Sequence, residues 1–219
     1  MAIDAAVLDV DGTVATCPYD FDAMRAAIAE IAARWRVDAR ALSLRGVIEQ
    51  IEGIAAQLHE EGEAFRLEAE QAVTAIEVEA ASQATILPGA AEALAELRHS
   101  GVALALITRN CRSASRIALR GFESYEILLT RDDVPLAKPD ADHVLRALVG
   151  LGRTPERAVV VGDHRYDMQA GRGAGVRLCI GVRTGSSSNE SLLQAGADAV
   201  IDSVADLPGL LRERGELPA

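Results

Sequence analysis

Short apolar runs bounded by acids, glycine or proline alternate with stretches of helical period along most of this 219-residue chain. The first run, Ala5 to Leu8 with Val10, is partly β-branched and closes on Asp9-Val10-Asp11-Gly12-Thr13, which predicts a buried strand ending in acids. After Pro18 the period turns helical. Met24, Ala27, Ile28 and Ile31 share one face, with Asp22 as the expected N-cap and a break at Val37-Asp38. Residues 42–83 continue as Ala- and Glu-rich helices interrupted at Gly53 and Gly62, with no strand signal. From Pro88-Gly89 the rhythm changes again. Helices are predicted over 90–99, from Arg112, over 140–149, from about Asp167, over 189–195 and over 207–214. Strands are predicted between them at 102–107, 125–129, 158–161, 177–180 and 199–201.

Strands that alternate with helices imply a parallel sheet covered on both faces. The expected fold class is therefore α/β, a Rossmann-like doubly wound core with an all-helical domain inserted after its first strand. The expected division assigns 1–14 and 87–219 to the core and 15–86 to the insert.

Composition narrows the function. The formal charge of −11 repels nucleic acid and anionic membrane, so neither is an expected partner. The run from Val102 to Ile107 is far short of the ~20 residues that a membrane helix requires. Asp4, Asp9 and Asp11 occupy the stretch where a secretory signal needs basic and then apolar residues. Cys17, Cys111 and Cys179 are widely spaced with no CxxC pair, which predicts reduced, buried thiols in a cytoplasm and no structural zinc. Acidity is concentrated in the insert: from Glu49 to Glu79 nine glutamates face one arginine, the expected mark of a solvated helix face.

Ligands of a doubly wound sheet bind outside the carboxyl ends of its strands. The polar residues in that position are Asp9, Asp11, Gly12 and Thr13 after the first strand, and Thr108, Arg109 and Asn110 after the second. Gly162, Asp163 and Asp167 follow the fourth, and Lys138 opens the helix before it. Clustered carboxylates with one ammonium and one hydroxyl make an oxygen-rich pocket suited to Mg²⁺, a hard cation. Without it the acids repel one another. A phosphate dianion could then rest on the metal, the lysine and the N–H groups of the Gly12 turn.

Asp9-x-Asp11-Gly12-Thr13, the distant Thr108, Lys138-Pro139 and Gly162-Asp163-x-x-x-Asp167 together resemble the haloacid dehalogenase-like phosphohydrolase superfamily. The likeness covers essentially the whole chain. The helical insert resembles the cap of the subgroup that contains phosphoglycolate phosphatase and β-phosphoglucomutase. The resemblance implies a Mg²⁺-dependent phosphatase acting on a small phosphorylated metabolite, with Asp9 as nucleophile and Asp11 as general acid and base. It implies a metal held by Asp9, the backbone carbonyl of Asp11 and Asp163, with Asp167 orienting them. Gly12, Thr108, Arg109 and Lys138 are then the expected phosphate contacts. Arg109-Asn110 departs from the Asn and variable residue usual there, which leaves the Arg109 side chain's role open.

Two rival roles stay open on the residues alone: Asp167 as a helix cap, and Thr108 as a cap of the following helix. So do two rival functions, a phosphomutase sharing every motif and a non-catalytic phosphate-binding protein. A dehalogenase is disfavoured, because it has no use for a leaving-group acid at Asp11. Lys138 carries a further argument: it is the single lysine among 22 basic residues, retained at the motif position where a compact ammonium fits and a planar guanidinium does not. Arg45 is a candidate cap contact to a second anionic group of the substrate. His164 is expected on an exposed loop, and His99 and His143 on helix surfaces. Gly171-x-Gly173-x-Gly175 is expected to end a helix rather than bind a dinucleotide.

Overall fold

In the computed structural model, which describes residues 2–38 and 46–217, the chain forms two compact units. Pro18–Gln83 is one, and Met1–Cys17 with Ala84–Ala219 is the other.

The smaller unit consists of α1 (Phe21–Arg34), α2 (Val47–Gln57) and α3 (Gly62–Ala81). Met24, Ile28 and Ile31 from α1, Ile51 and Ile54 from α2, and Phe65, Ala69 and Val73 from α3 form a single core, each set spaced three or four residues apart. Trp35 stands edge-on to Phe65 with ring centroids 6.2 Å apart, and its indole N–H donates to Glu68 Oε2 at 2.8 Å. The N-cap of α1 is Asp20, not the expected Asp22. Its Oδ1 accepts from Ala23 N at 2.8 Å, because the helix begins at Phe21, two residues earlier than a cap at Asp22 implies, and Asp22 pairs with Arg25 at 3.1 Å within the first turn. Glu52, Glu60, Glu61, Glu63 and Glu79 are exposed as expected of a solvated face, whereas Glu77 is buried.

The larger unit contains β1 (Ala5–Asp9), β2 (Ala15–Thr16), β3 (Thr85–Ile86), α4 (Ala90–His99), β4 (Ala103–Ile107) and α5 (Arg112–Ala118). It continues with β5 (Ile127–Leu129), α6 (Ala141–Leu151), β6 (Ala158–Gly162), α7 (Arg165–Ala174), β7 (Leu178–Val182), α8 (Asn189–Gln194), β8 (Ala199–Ile201) and α9 (Leu207–Glu213). Six strands pair in parallel in the order β5-β4-β1-β6-β7-β8. All five residues of β1 are buried, and their alternation divides the core. Ala6 and Leu8 pack with Leu104, Leu106, Val159 and Val161 beneath Leu94 and Leu97 of α4 and Leu211 of α9. Ala5 and Val7 pack with Ala105, Ile107 and Val160 beneath Val144 and Leu148 of α6 and Met168 of α7.

The antiparallel pair β2–β3 carries no signal in the sequence, since two residues are too short to show alternation. It joins the two chain segments of the larger unit where the helical insert departs and returns. Gly175, in the left-handed region at φ +73, caps α7 as expected, while Gly171 and Gly173 lie inside that helix. All three cysteines are buried and none is in a disulfide. Among the described residues, no helix is long and apolar enough to cross a membrane.

Candidate active site

β1 lies between β4 and β6, with Asp9 opposite Ile107 and Leu8 opposite Val161. This register delivers Asp9, Thr108 and Asp163 to the same edge from three adjacent strands, at the point where the strand order reverses. Asp167 joins them from the first turn of α7, and Lys138 from the segment leading into α6.

Lys138 is 3% exposed, and its Nζ lies 2.7 Å from Asp9 Oδ1 and 2.6 Å from Asp167 Oδ1. Asp9 Oδ1 also accepts from Val10 N at 2.7 Å, and Asp167 Oδ2 accepts from His164 N at 2.9 Å. Asp167 is thus both a helix-start partner and a site residue, and the two readings of it are compatible. Asp163 Oδ2 accepts from the backbone N (2.7 Å) and Oγ (3.0 Å) of Ser186. Asp11 Oδ1 accepts from Cys17 N at 2.9 Å. The Thr108 hydroxyl accepts from Asn110 N at 3.1 Å, which orients it at the mouth of β4.

The electrostatics are those of crowded acids. Burial pushes the Asp9 carboxyl up to about 6 against the opposing pull of Lys138, with Asp163 adding to the rise. Burial likewise lifts Asp11 to about 7, against the Cys17 N–H and with help from the charges on Asp9 and Asp163. Asp167 rises to about 6 through burial and then Asp9. Asp163 is raised by burial and the neighbouring Asp167. Burial alone would lower Lys138, but the charges of Asp167 and Asp9 outweigh it and hold the ammonium protonated.

Four acids face one ammonium, so the cluster calls for a second cation. Ligand oxygens of Asp9, Asp163 and Asp167 lie within 4.8 Å of one another. All are carboxylate oxygens, a donor set that fits Mg²⁺. Both oxygens of Asp167 are taken, one by Lys138 and one by His164 N. Asp9 Oδ2 and Asp163 Oδ1 carry none of the bonds just described. The chemistry therefore favours Asp9 and Asp163 as direct ligands and Asp167 as their orienting partner.

Gly12 takes φ +77, and a Cβ there would come within 2.8 Å of Asp163 Cγ. Glycine is required at that turn by both backbone conformation and space. Thr184 Oγ1 donates to the Gly12 carbonyl at 2.6 Å, and a Cβ on Gly185 would collide with the Asp163 carboxylate. The segment 184–186 after β7 therefore builds one wall of the site. By pattern alone these residues are only a loop, yet β7 pairs with β6 and ends at the same edge. Their signal in the sequence is position: Thr184 and Ser186 are polar residues just beyond a parallel strand, as Thr108 and Asp163 are.

Other residues depart from expectation. His164 is half-buried rather than exposed on a loop: it is the N-cap of α7, its Nδ1 accepting from Tyr166 N at 3.2 Å. The Arg109 guanidinium sits over the Tyr166 ring, 4.9 Å from its centroid. His99 is exposed, as expected of a helix surface. Arg45 falls outside the described residues. His143 is wholly buried, not a surface residue, because it stands on the face of α6 that packs against the sheet.

Burial, and then the Lys138 ammonium, lower the His143 imidazole from its usual 6.5 to about 4; Asp142 and Asp133 oppose this weakly. A histidine depressed on folding contributes stability that is present above its unfolded pKa and is lost as pH falls towards its folded one. The wild-type advantage over His143→Leu should therefore shrink by about 2 kcal/mol between pH 7.5 and 5. Parallel urea titrations of the two proteins check this by difference, since the neighbouring carboxylates titrate in both.

Residues 3–175 match the family described as haloacid dehalogenase-like hydrolase. A plasmid-borne phosphoglycolate phosphatase of Cupriavidus necator is 31% identical over 98% of this chain and 96% of its own length. The pyrophosphatase PpaX of Bacillus velezensis is 32% identical over 53% of this chain, which spans about half (55%) of that relative. The crystal structure of CbbY from Rhodobacter sphaeroides in complex with phosphate is 27% identical, with a TM-score of 0.65 over 94% of this chain and 96% of that one. The acids that β1 and β6 bring beside the buried lysine are thus carried on a chain that belongs to the haloacid dehalogenase-like hydrolase family, an enzyme of the phosphatase kind.

Proposed function

We propose that this protein is a Mg²⁺-dependent phosphatase that hydrolyses the phosphomonoester of a small metabolite through an aspartyl-phosphate on Asp9. The observation that carries the reading is the buried Lys138 ammonium held between Asp9 and Asp167, beside Asp163. A carboxylate oxygen of Asp9 bonds to phosphorus as the bond to the leaving alcohol breaks, and Asp11 gives that alcohol a proton. Burial raises the Asp11 pKa to about 7, the direction that a proton donor to the leaving alcohol requires. In the second half, Asp11 takes a proton from water as its oxygen bonds to phosphorus, and the bond to Asp9 breaks to release phosphate. Lys138 offsets charge on both the nucleophile and the phosphoryl oxygens, while Thr108 and the N–H groups around Gly12 orient those oxygens. Asp9, Asp163 and the Asp11 carbonyl would hold Mg²⁺, which would supply charge neutralisation at the phosphoryl group.

In this reading Pro18–Gln83 is the cap that selects the substrate. The partner is a diffusible phosphorylated metabolite, and the setting is a cytoplasm that keeps the three thiols reduced. The relatives favour phosphoglycolate or a similarly small phosphate compound, pyrophosphate included. The test is phosphate release from 2-phosphoglycolate, pyrophosphate and hexose 1-phosphates, with Mg²⁺ and with a chelator. Release from at least one of these compounds, abolished by chelation, is the expected result. Release indifferent to chelation, or from none of the panel, would overturn the reading. A hexose 6-phosphate appearing in place of free phosphate would assign a mutase instead.

A further inference from the structure

His143 stands in the first turn of α6, five residues after Lys138, with none of its surface exposed. A buried imidazole is costly unless both ring nitrogens find partners. Here both do. The backbone N–H of Lys138 donates to Nδ1 at 3.3 Å, and Nε2 lies 3.1 Å from the Leu129 carbonyl oxygen. A carbonyl can only accept and an N–H can only donate, so the ring is the neutral Nε2–H tautomer. Burial and the adjacent ammonium keep it neutral, as its depressed pKa of about 4 reflects.

Leu129 is the last residue of β5, and its carbonyl also accepts the backbone N–H of Thr108 at 3.0 Å. One ring therefore ties the backbone of Lys138 to the same carbonyl that anchors Thr108. Two site residues from separate loops are referred to one point on the sheet edge.

On the reading of Lys138 as part of a phosphatase site, we infer that His143 is a positioning residue: through Nδ1 and Nε2–H it fixes the Lys138 backbone to the end of β5 and so sets the ammonium between Asp9 and Asp167. A four-carbon side chain can place its nitrogen in many ways, and only a fixed backbone restricts it to the bridge observed. Sequence patterning hides this role, because a histidine in a helical stretch has no fixed partner until the sheet is laid beneath it.

The chain's single lysine makes the test direct. Labelling with ¹⁵N-lysine gives one side-chain ammonium, that of Lys138, whose signal reports its surroundings without any turnover. In the wild-type enzyme a slowly exchanging, hydrogen-bonded ammonium is expected. His143→Leu keeps the bulk and loses both hydrogen bonds. It should shift and broaden that signal and lower kcat on the order of 10–100-fold, the usual cost of losing a group that orients a site residue. His143→Asn retains an acceptor near the Nδ1 position and should recover part of both effects. A leucine variant whose ammonium signal stays at the wild-type position would overturn the inference, as would an asparagine variant no better than leucine. Absence of turnover in the wild type as well would count against the phosphatase reading instead, and would leave the ammonium measurement to decide the role of His143.

Discussion

Asp9→Asn removes turnover, by on the order of 10⁴–10⁶-fold, while the protein still folds. An amide oxygen is no nucleophile towards phosphorus, so the covalent half of the reaction has nothing to begin on. Burial raises the Asp9 pKa to about 6, so a neutral amide there relieves part of the cost of burying a carboxylate. The amide oxygen can still accept from Lys138 and Val10 N, and Lys138 keeps Asp167 at 2.6 Å. Phosphate release measured beside a thermal unfolding curve separates the two effects. A variant that folds and turns over at the wild-type rate would discard the mechanism.

Lys138→Arg lowers kcat about 10²–10³-fold, although the charge is retained. Nζ has carboxylate oxygens at 2.7 and 2.6 Å and almost no exposed surface, so the wide guanidinium must displace one of the two acids or distort the segment before α6. Near wild-type rates would show that charge alone suffices. Lys138→Met probes the other contribution. It leaves Asp9 and Asp167 buried without their cation, and should cost about 3–5 kcal/mol of stability at neutral pH. Urea titration reads that cost, and addition of Mg²⁺ should return part of it by neutralising the same acids.

Much of this was legible beforehand because it depends on local pattern. The buried run of β1 closing on Asp9, the strands near 103–107 and 158–162, and the amphipathic helices after them follow from apolar spacing alone. The order of acids along the chain was also readable, since the residues after a parallel strand lie at one edge whatever the pairing. Short or borrowed features were not. The β2–β3 pair is two residues on each side, and Asp20 replaces Asp22 as the cap through a shift of two residues in the helix start. Ser186 and Thr184 gain their roles only because β7 pairs with β6, and that pairing is a long-range event.

By itself, the sequence determined an α/β unit interrupted by helices, and a set of acids and one lysine destined for the strand ends, with a glycine turn after the first of them. Those outcomes rest on periodicity, backbone freedom and charge, which each short segment carries with it. Only the tertiary structure decided that β1 sits between β4 and β6, that Asp167 gives both its oxygens to Lys138 and His164, and that His143 turns inward to hold the lysine's backbone. These depend on which surfaces are buried against which, and a polar side chain acquires its partner only when packing removes water as the alternative.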